Sequence, residues 1–229
     1  MAAAEHYYTA RPTSRSRLRR WTETLRGRTF TFVSDAGVFS ASRVDPGTRL
    51  LIESVELPEE GHILDLGCGY GVLGIVCAAC APRARVTMVD VNERAVELAR
   101  RNAALNGVPH VEVLVGDGFT PVAGRRFHLI VTNPPWRLGK AFVGAWLEQA
   151  RRHLYPGGRL ALVVRTKQGA RSWYRRLEDL YGSCRELAKG GGYRVYEVAV
   201  PGGDGPGPVD GPWHDAGARQ GAGTETEGA

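Results

Sequence analysis

The tetrapeptide Asn133-Pro134-Pro135-Trp136 holds the residues best suited to chemistry. Two successive prolines stiffen the backbone and remove two N–H donors, which leaves carbonyl oxygens to act as acceptors, and the Asn133 amide adds another. The exocyclic amine of a base has its lone pair delocalised into the ring. It becomes nucleophilic when hydrogen bonds from its two hydrogens draw charge onto the nitrogen. Asn133 Oδ1 and the Pro134 carbonyl are the expected acceptors, and Trp136 offers a face on which a purine can stack. The competing structural reading is a rigid proline turn beside a buried tryptophan.

A second constellation lies upstream. The run DLGCGYG places Gly67, Gly69 and Gly71 between an apolar strand and an apolar helix, where a ligand meets a helix N-terminus and the carboxyl ends of strands. Residues 69 to 74 also spell GxGxxG, and Asp90 follows at the end of the next strand, so dinucleotide binding is a competing reading. Asp65 weighs against it. A carboxylate ahead of the glycines repels a pyrophosphate but complements a cationic amino-acid end. Asp90 can accept two ribose hydroxyls, and Asp117 with Gly118 can meet an adenine edge. Each acid alone also fits a helix cap. Three acids at consecutive strand ends suit a cationic nucleoside without phosphate, which is the chemistry of S-adenosylmethionine.

These residues need a parallel sheet to position them. Apolar, β-rich runs HILDL, RVTMVD, VEVLVG, FHLIVTN, RLALVVR, CRELAK and YRVYEVAV alternate with helical segments from residue 62 onward, which predicts an α/β, doubly wound sheet. ERAVELARRNAAL carries Ala95, Leu98, Ala99 and Ala103 as a stripe suited to lying on it. Only Gly190, Gly191 and Gly192 separate the last two strands, so these are expected to pair antiparallel. Upstream, RTFTFVS reads as a strand and Pro46 to Val55 as a helix, Asp45 preceding Pro46 at its start. Residues 1–61 hold the basic segment, this strand, the loop DAGVFSASRVD and the helix, residues 62–201 are expected to form the α/β domain, and residues 202–229, rich in Gly and Pro, to be disordered.

The chain has 229 residues and a formal charge of +6, with a pI near 9.4. Five arginines fall between Arg11 and Arg20, where they could neutralise phosphates or form a solvated basic face. Four cysteines, Cys68, Cys77, Cys80 and Cys184, are too few for a disulfide framework in a chain this long. Cys77 and Cys80 lie in an apolar helical run and read as small core residues. A cytoplasmic location without membrane association is expected. The histidines, among them His6, His110, His128 and His153, show no ligand spacing, so no metal is expected.

With these motifs in place, the chain resembles the methyltransferase small domain family, and within it the single-domain relatives of the bacterial 16S ribosomal RNA guanine-N(2) methyltransferase. The resemblance spans roughly residues 6 to 200 and rests on HYYTARPTS, GVFSASRVDPGTRLLIE, DLGCGYG, VDVNERAV, GDGF, NPPWRLGK, TKQGARS and GGYRV. It implies a Rossmann-like seven-stranded methyltransferase fold with S-adenosylmethionine as cofactor, residues 62–201 being the methyltransferase domain and residues 1–61, with their cofactor-covering loop and helix, part of the catalytic unit. Asp65, Gly67 and Gly69 would hold the methionine end, Asp90 the ribose, Asp117 and Gly118 the adenine, with Cys68 and Val91 also binding the cofactor. Asn133 would face both cofactor and acceptor amine, and the loop at Phe39 would cover the cofactor. Arg137, Lys140, Lys167 and Gln168 would lie at the substrate mouth. Trp136 stands where the guanine enzymes usually carry Phe, and no counterpart of the additional N-terminal domain that the ribosomal RNA enzyme often carries is expected. RNA affinity is therefore expected from the basic segment Arg11 to Arg28, with Arg15, Arg17, Arg19 and Arg20 as its candidates. Three other functions compete: a protein-glutamine methyltransferase, whose related motif ends in Tyr; a nicotinamide-dependent oxidoreductase, which has no use for the Asn-Pro-Pro motif; and a noncatalytic RNA-binding protein on the same scaffold.

Overall fold

A computed structural model of the chain describes residues 10, 15–40 and 43–202. The tail from residue 203, Arg11, and the HYYTARPTS segment apart from Ala10 lie outside the described residues.

The centre is a seven-stranded sheet formed by β3 (Glu60–Leu66), β4 (Arg83–Asp90), β5 (Glu112–Val115), β6 (Phe127–Thr132), β7 (Leu154–Arg165), β8 (Arg185–Gly190) and β9 (Tyr193–Ala199). Its spatial order is β5-β4-β3-β6-β7-β9-β8. Every pairing from β5 to β7 is parallel, whereas β9 runs antiparallel to both β7 and β8. All seven strands and the antiparallel ending agree with the sequence reading. The order reverses between β3 and β6, so the chain leaves these adjacent strands in opposite directions and opens a crevice at their carboxyl ends. The glycine loop and the Asn-Pro-Pro turn border that crevice.

Because helices cover both faces, the central strands are apolar on both. One face packs α1 (Pro46–Ser54), α2 (Val72–Cys80) and α3 (Glu93–Leu105) over Ile63, Met88, Leu129 and Val163; the other packs α4 (Lys140–Arg152) and α5 (Ala170–Tyr181) over Leu64, Ile130, Leu160 and Leu162. α2 is apolar nearly all round because it is enclosed, and Cys77 is part of that core. All four cysteines are free thiols.

The segment preceding RTFTFVS departs from the sequence reading. Residues Arg19–Leu25, expected as part of a basic substrate segment, form a strand, β1, paired antiparallel with β2 (Arg28–Ser34). Arg26 and Gly27 join them, both at positive φ (49° and 71°), the twist a two-residue hairpin requires. The alternation that marks β1 is hard to see because its polar positions are Arg, Thr and Glu, and only Leu25 is fully buried.

β2 does not pair with the main sheet. Two asparagines one turn apart on the α3 face meet its free edge. Asn102 accepts from Val33 N and donates to Val33 O, both 2.8 Å. Asn106, just past the helix end, makes the same pair with Thr31, also at 2.8 Å. Asn102 reaches Tyr70 O of the glycine loop as well, at 2.9 Å. Side-chain amides thus continue the ladder and bind the hairpin to the cofactor side of the sheet. Asn102 is fully buried. Asn102→Leu would strand the Val33 N–H and two carbonyls at roughly 1–3 kcal/mol each. Denaturant unfolding is expected to show a loss of about 3 kcal/mol or more, clearly exceeding that of Asn106→Ala; equal losses would deny Asn102 this bridging role.

Candidate active site

One cavity of about 360 Å³ occupies the crevice, a size within the range of small-molecule sites. Its walls come from the carboxyl ends of β3 to β7, the start of β9, helix α4 and the loop between β2 and α1. At the end of β3 the chain turns sharply, with Gly67, Gly69 and Gly71 at φ 73°, 56° and 94°. Gly67 N and Cys68 N both donate to Val89 O, at 2.9 and 3.0 Å.

Asp90, at the end of β4, shapes this loop. Its Oδ2 accepts from Gly69 N at 2.8 Å and its Oδ1 from Asn92 N at 2.9 Å. The carboxylate also faces the cavity, and burial pushes its pKa up. Asn92 caps α3 and donates to Gly37 O at 3.0 Å, while Arg94 donates to Ala36 O at 2.8 Å. These bonds strap the loop carrying Val38, Phe39 and Ser40 across the cavity mouth. Phe39 itself remains 37% exposed.

Gly67, Cys68, Gly69, Asp90, Val91, Asp117, Gly118, Asn133, Pro134, Trp136 and Phe39, all expected in the site, line the cavity. Asp65 stands apart from them. It is fully buried behind the loop, its Oδ2 accepts from Gly74 N at 2.8 Å, and its Oδ1 meets no donor among the described residues. Desolvation, with the nearby Asp90 charge adding to it, lifts its pKa to about 7 despite the Gly74 bond.

Trp146 escaped the sequence reading. It projects from α4 onto the cavity wall between two glycines: a Cβ on Gly67 would stand 3.7 Å from its ring, and one on Gly118 3.2 Å from its Nε1. Phe142, a turn earlier, lies beside it at 5.5 Å between centroids. The pair reads in sequence as an ordinary apolar stripe of an amphipathic helix, and only packing turns it toward the strand ends.

The other half of the cavity is built around Asn133. Its Nδ2 donates to Thr48 Oγ1 at 3.0 Å and to Asp45 Oδ2 at 3.3 Å. The Pro134 carbonyl accepts from Trp136 N at 2.8 Å, which closes a tight turn and leaves it one further lone pair. Trp136 Nε1 donates to Val163 O at 3.0 Å, and its ring meets Trp173 edge-on at 5.1 Å. The indole is thus held at one edge while still lining the cavity. Arg137, Arg165, Gln168 and Tyr193 complete this end. Lys140 and Lys167 are exposed outside it, as are Arg15, Arg17, Arg19 and Arg20, of which the last two lie on β1.

The family model of the methyltransferase small domain matches residues 29–197. The chain belongs to this family. It is 45% identical over 197 residues to the uncharacterised protein YbxB of Bacillus subtilis, covering 85% of this chain and 98% of that one. It is 39% identical over 170 residues to ribosomal RNA small subunit methyltransferase C of Pseudomonas aeruginosa, covering 72% of this chain and 50% of that one. It therefore spans about half the length of the curated ribosomal RNA methyltransferases it matches. Among solved structures, the Thermus thermophilus 16S rRNA N2 methyltransferase, in complex with AdoMet and guanosine, superposes with a TM-score of 0.72 at 30% identity over 82% of this chain and 52% of that one. The mostly parallel seven-stranded sheet of this small-domain methyltransferase, with its antiparallel end, is the Rossmann-like methyltransferase fold.

Asp65 makes the stability of the small-domain protein pH-dependent. Its carboxyl pKa rises on folding, so the folded chain keeps a proton that the unfolded chain releases above about pH 4. The stability from that proton is present below pH 4 and lost as pH rises toward 7, at up to about 1.4 kcal/mol per pH unit. Asp65→Asn is expected to flatten the pH dependence of the unfolding free energy between pH 5 and 7. Identical slopes in both proteins would mean that Asp65 is ionised in the fold.

Proposed function

We propose that this methyltransferase transfers a methyl group from S-adenosylmethionine to the exocyclic N2 amine of a guanine in small-subunit ribosomal RNA. The observation that carries this reading is that Asn133, Pro134 and Trp136 open onto the same cavity as Asp90, Asp117 and the glycine loop.

The donor set fits S-adenosylmethionine. Two buried acids, one with an unpartnered oxygen, stand at the glycine-loop end, where a cation is favoured and a pyrophosphate opposed. The cavity's cations, Arg137 and Arg165, belong to the Asn133 end. S-adenosylmethionine, when bound, supplies a sulfonium-activated methyl group. Asp90 accepts the ribose hydroxyls, Asp117 and Gly118 meet the adenine edge, and Trp146 with Phe142 forms an apolar wall beside them. Gly67 and Gly69 let the backbone approach closely, and a cationic ligand end placed against them would favour ionisation of the buried Asp65 carboxyl behind them.

Asn133 Oδ1 and the remaining lone pair of the Pro134 carbonyl accept the two hydrogens of the target amine. They withdraw the nitrogen lone pair from the ring and aim it at the methyl group. Holding the reactants in line can remove roughly 7–11 kcal/mol of barrier. A base stacks on Trp136, whose edge bond to Val163 keeps the ring in place. No general base is needed before transfer, since the amine becomes acidic only as it gains the methyl group and can then release its proton to solvent. The Thermus relative, solved with AdoMet and guanosine, supports both the donor and the guanine acceptor. The exposed arginines of β1 and the segment before it supply a basic approach for the RNA backbone.

Labelled methyl transfer to unmodified 30S subunits, naked 16S RNA and cellular protein in parallel, followed by nucleoside analysis, is expected to yield N(2)-methylguanosine. Label recovered in protein would overturn the RNA acceptor. Asn133→Ala is expected to keep cofactor affinity while lowering kcat by about 100-fold or more, and unchanged turnover would remove Asn133 from the reaction. Replacing Arg19 and Arg20 by Ala is expected to shallow the log–log salt dependence of RNA binding by on the order of 0.7 per lost phosphate contact. An unaltered slope would show that β1 does not touch the backbone.

A further inference from the structure

The Asn133 amide has two chemically different ends, and the proposed reaction needs its oxygen toward the acceptor amine. We propose that Asp45, supported by Thr48, Tyr193 and Arg165, is the positioning residue that sets this orientation. The inference rests on the function proposed above.

A carboxylate only accepts hydrogen bonds, so the end of the amide that meets Asp45 Oδ2 must be the NH2 group. Thr48 Oγ1 engages Nδ2 as well. Reversing the amide would bring Oδ1 against the Asp45 carboxylate. Oδ1 therefore points away from α1, and no donor among the described residues reaches it. The hydrogen bond to a carboxylate also polarises the amide, leaving Oδ1 a stronger acceptor for an amine that gains positive charge as it reacts.

Asp45 is fixed from several sides. Its Oδ2 also accepts from Gly47 N at 2.9 Å and Thr48 N at 3.0 Å, the bonds of an N-cap. A cap requires no more than these. Its Oδ1 additionally accepts from the Tyr193 hydroxyl at 3.3 Å, and that hydroxyl accepts from Arg165 Nε at 2.9 Å. The Arg165 guanidinium lies over the same ring, 5.2 Å from its centroid. Tyr193 comes this close because residue 47 is glycine: a Cβ there would fall 2.5 Å from the ring. The arrangement joins α1, β6, β7 and β9, four elements distant in sequence, at one side chain.

The test separates the cap from the clamp. Asp45→Ser keeps a good N-cap but is too short to hold Asn133; Asp45→Asn keeps an acceptor at full length and removes the charge. With 16S RNA as acceptor, Asp45→Ser is expected to lower kcat about 50-fold, leaving KM and cofactor affinity within about 3-fold, and Asp45→Asn to fall between it and the unaltered protein. In an Asn133→Ala background, Asp45→Ser should cost less than about 3-fold more, because the group it positions is gone. Losses that multiply would overturn the proposal. A second readout needs no acceptor: the side-chain amide resonances of Asn133, assigned by their disappearance in Asn133→Ala, should shift in Asp45→Ser. Unmoved resonances would also overturn it. Were the unaltered protein to methylate protein instead of RNA, the guanine reading would fail, and these resonances would still decide the clamp.

Discussion

The carboxylate of Asp90 accepts from Gly69 N and from Asn92 N, and much of the cavity's shape depends on those two bonds. The first ties the glycine loop after β3 to the end of β4. The second places Asn92 to cap α3 and to reach Gly37, which strings the covering loop over the mouth. One acidic side chain therefore joins a loop, a strand, a helix and a lid, while its remaining lone pairs face the cavity. Backbone donors from Asn92, Gly69 and Val91 favour its ionised form, although burial still raises its pKa.

Polarity across the cavity is uneven, and that unevenness organises the chemistry. Asp65 and Asp90 stand at one end and Arg137 and Arg165 at the other, with Trp146 and Phe142 along one wall. A positively charged donor is drawn toward the Asp90 carboxylate, and the arginines would attract the phosphates of the RNA acceptor proposed above. Asn133 lies where the two meet, at the end of β6 beside the point of strand reversal. The parallel sheet alone determines that meeting place, because the carboxyl ends of β3 and β6 lie side by side in register.

Amide side chains perform a second structural task on the opposite flank. A two-stranded hairpin is marginal in water by itself. Here Asn102 and Asn106 complete its edge, and Trp21 and Phe32 pack on Tyr70 of the glycine loop, with ring centroids 5.7 and 6.0 Å away. The basic residues of β1 are therefore held on a strand that contacts the cofactor loop, rather than on a free basic segment.

The seven strands, their antiparallel ending, the helix after Asp45 and the cavity-lining residues of the glycine loop, β4, β5 and the Asn-Pro-Pro turn were all legible in the sequence. The signals are local: apolar runs of strand length, glycines at a sharp turn, an acid at each strand end, and paired prolines. β1 was not legible, because a strand with one polar face and arginines at its start has the composition of a solvated basic stretch. Trp146 was hidden within a normal helical stripe. That Asp65 lies behind the loop, and that Asp45, Thr48, Tyr193 and Arg165 converge on Asn133, are matters of tertiary structure alone. They depend on which way a side chain points and on contacts across 85 to 148 residues of chain. Sequence by itself determined which chemical groups stand at the strand ends. Only the packing of α1 against β9 decided which of them hold the others in place, because hydrogen-bond orientation is a property of neighbours in space and not of neighbours in sequence.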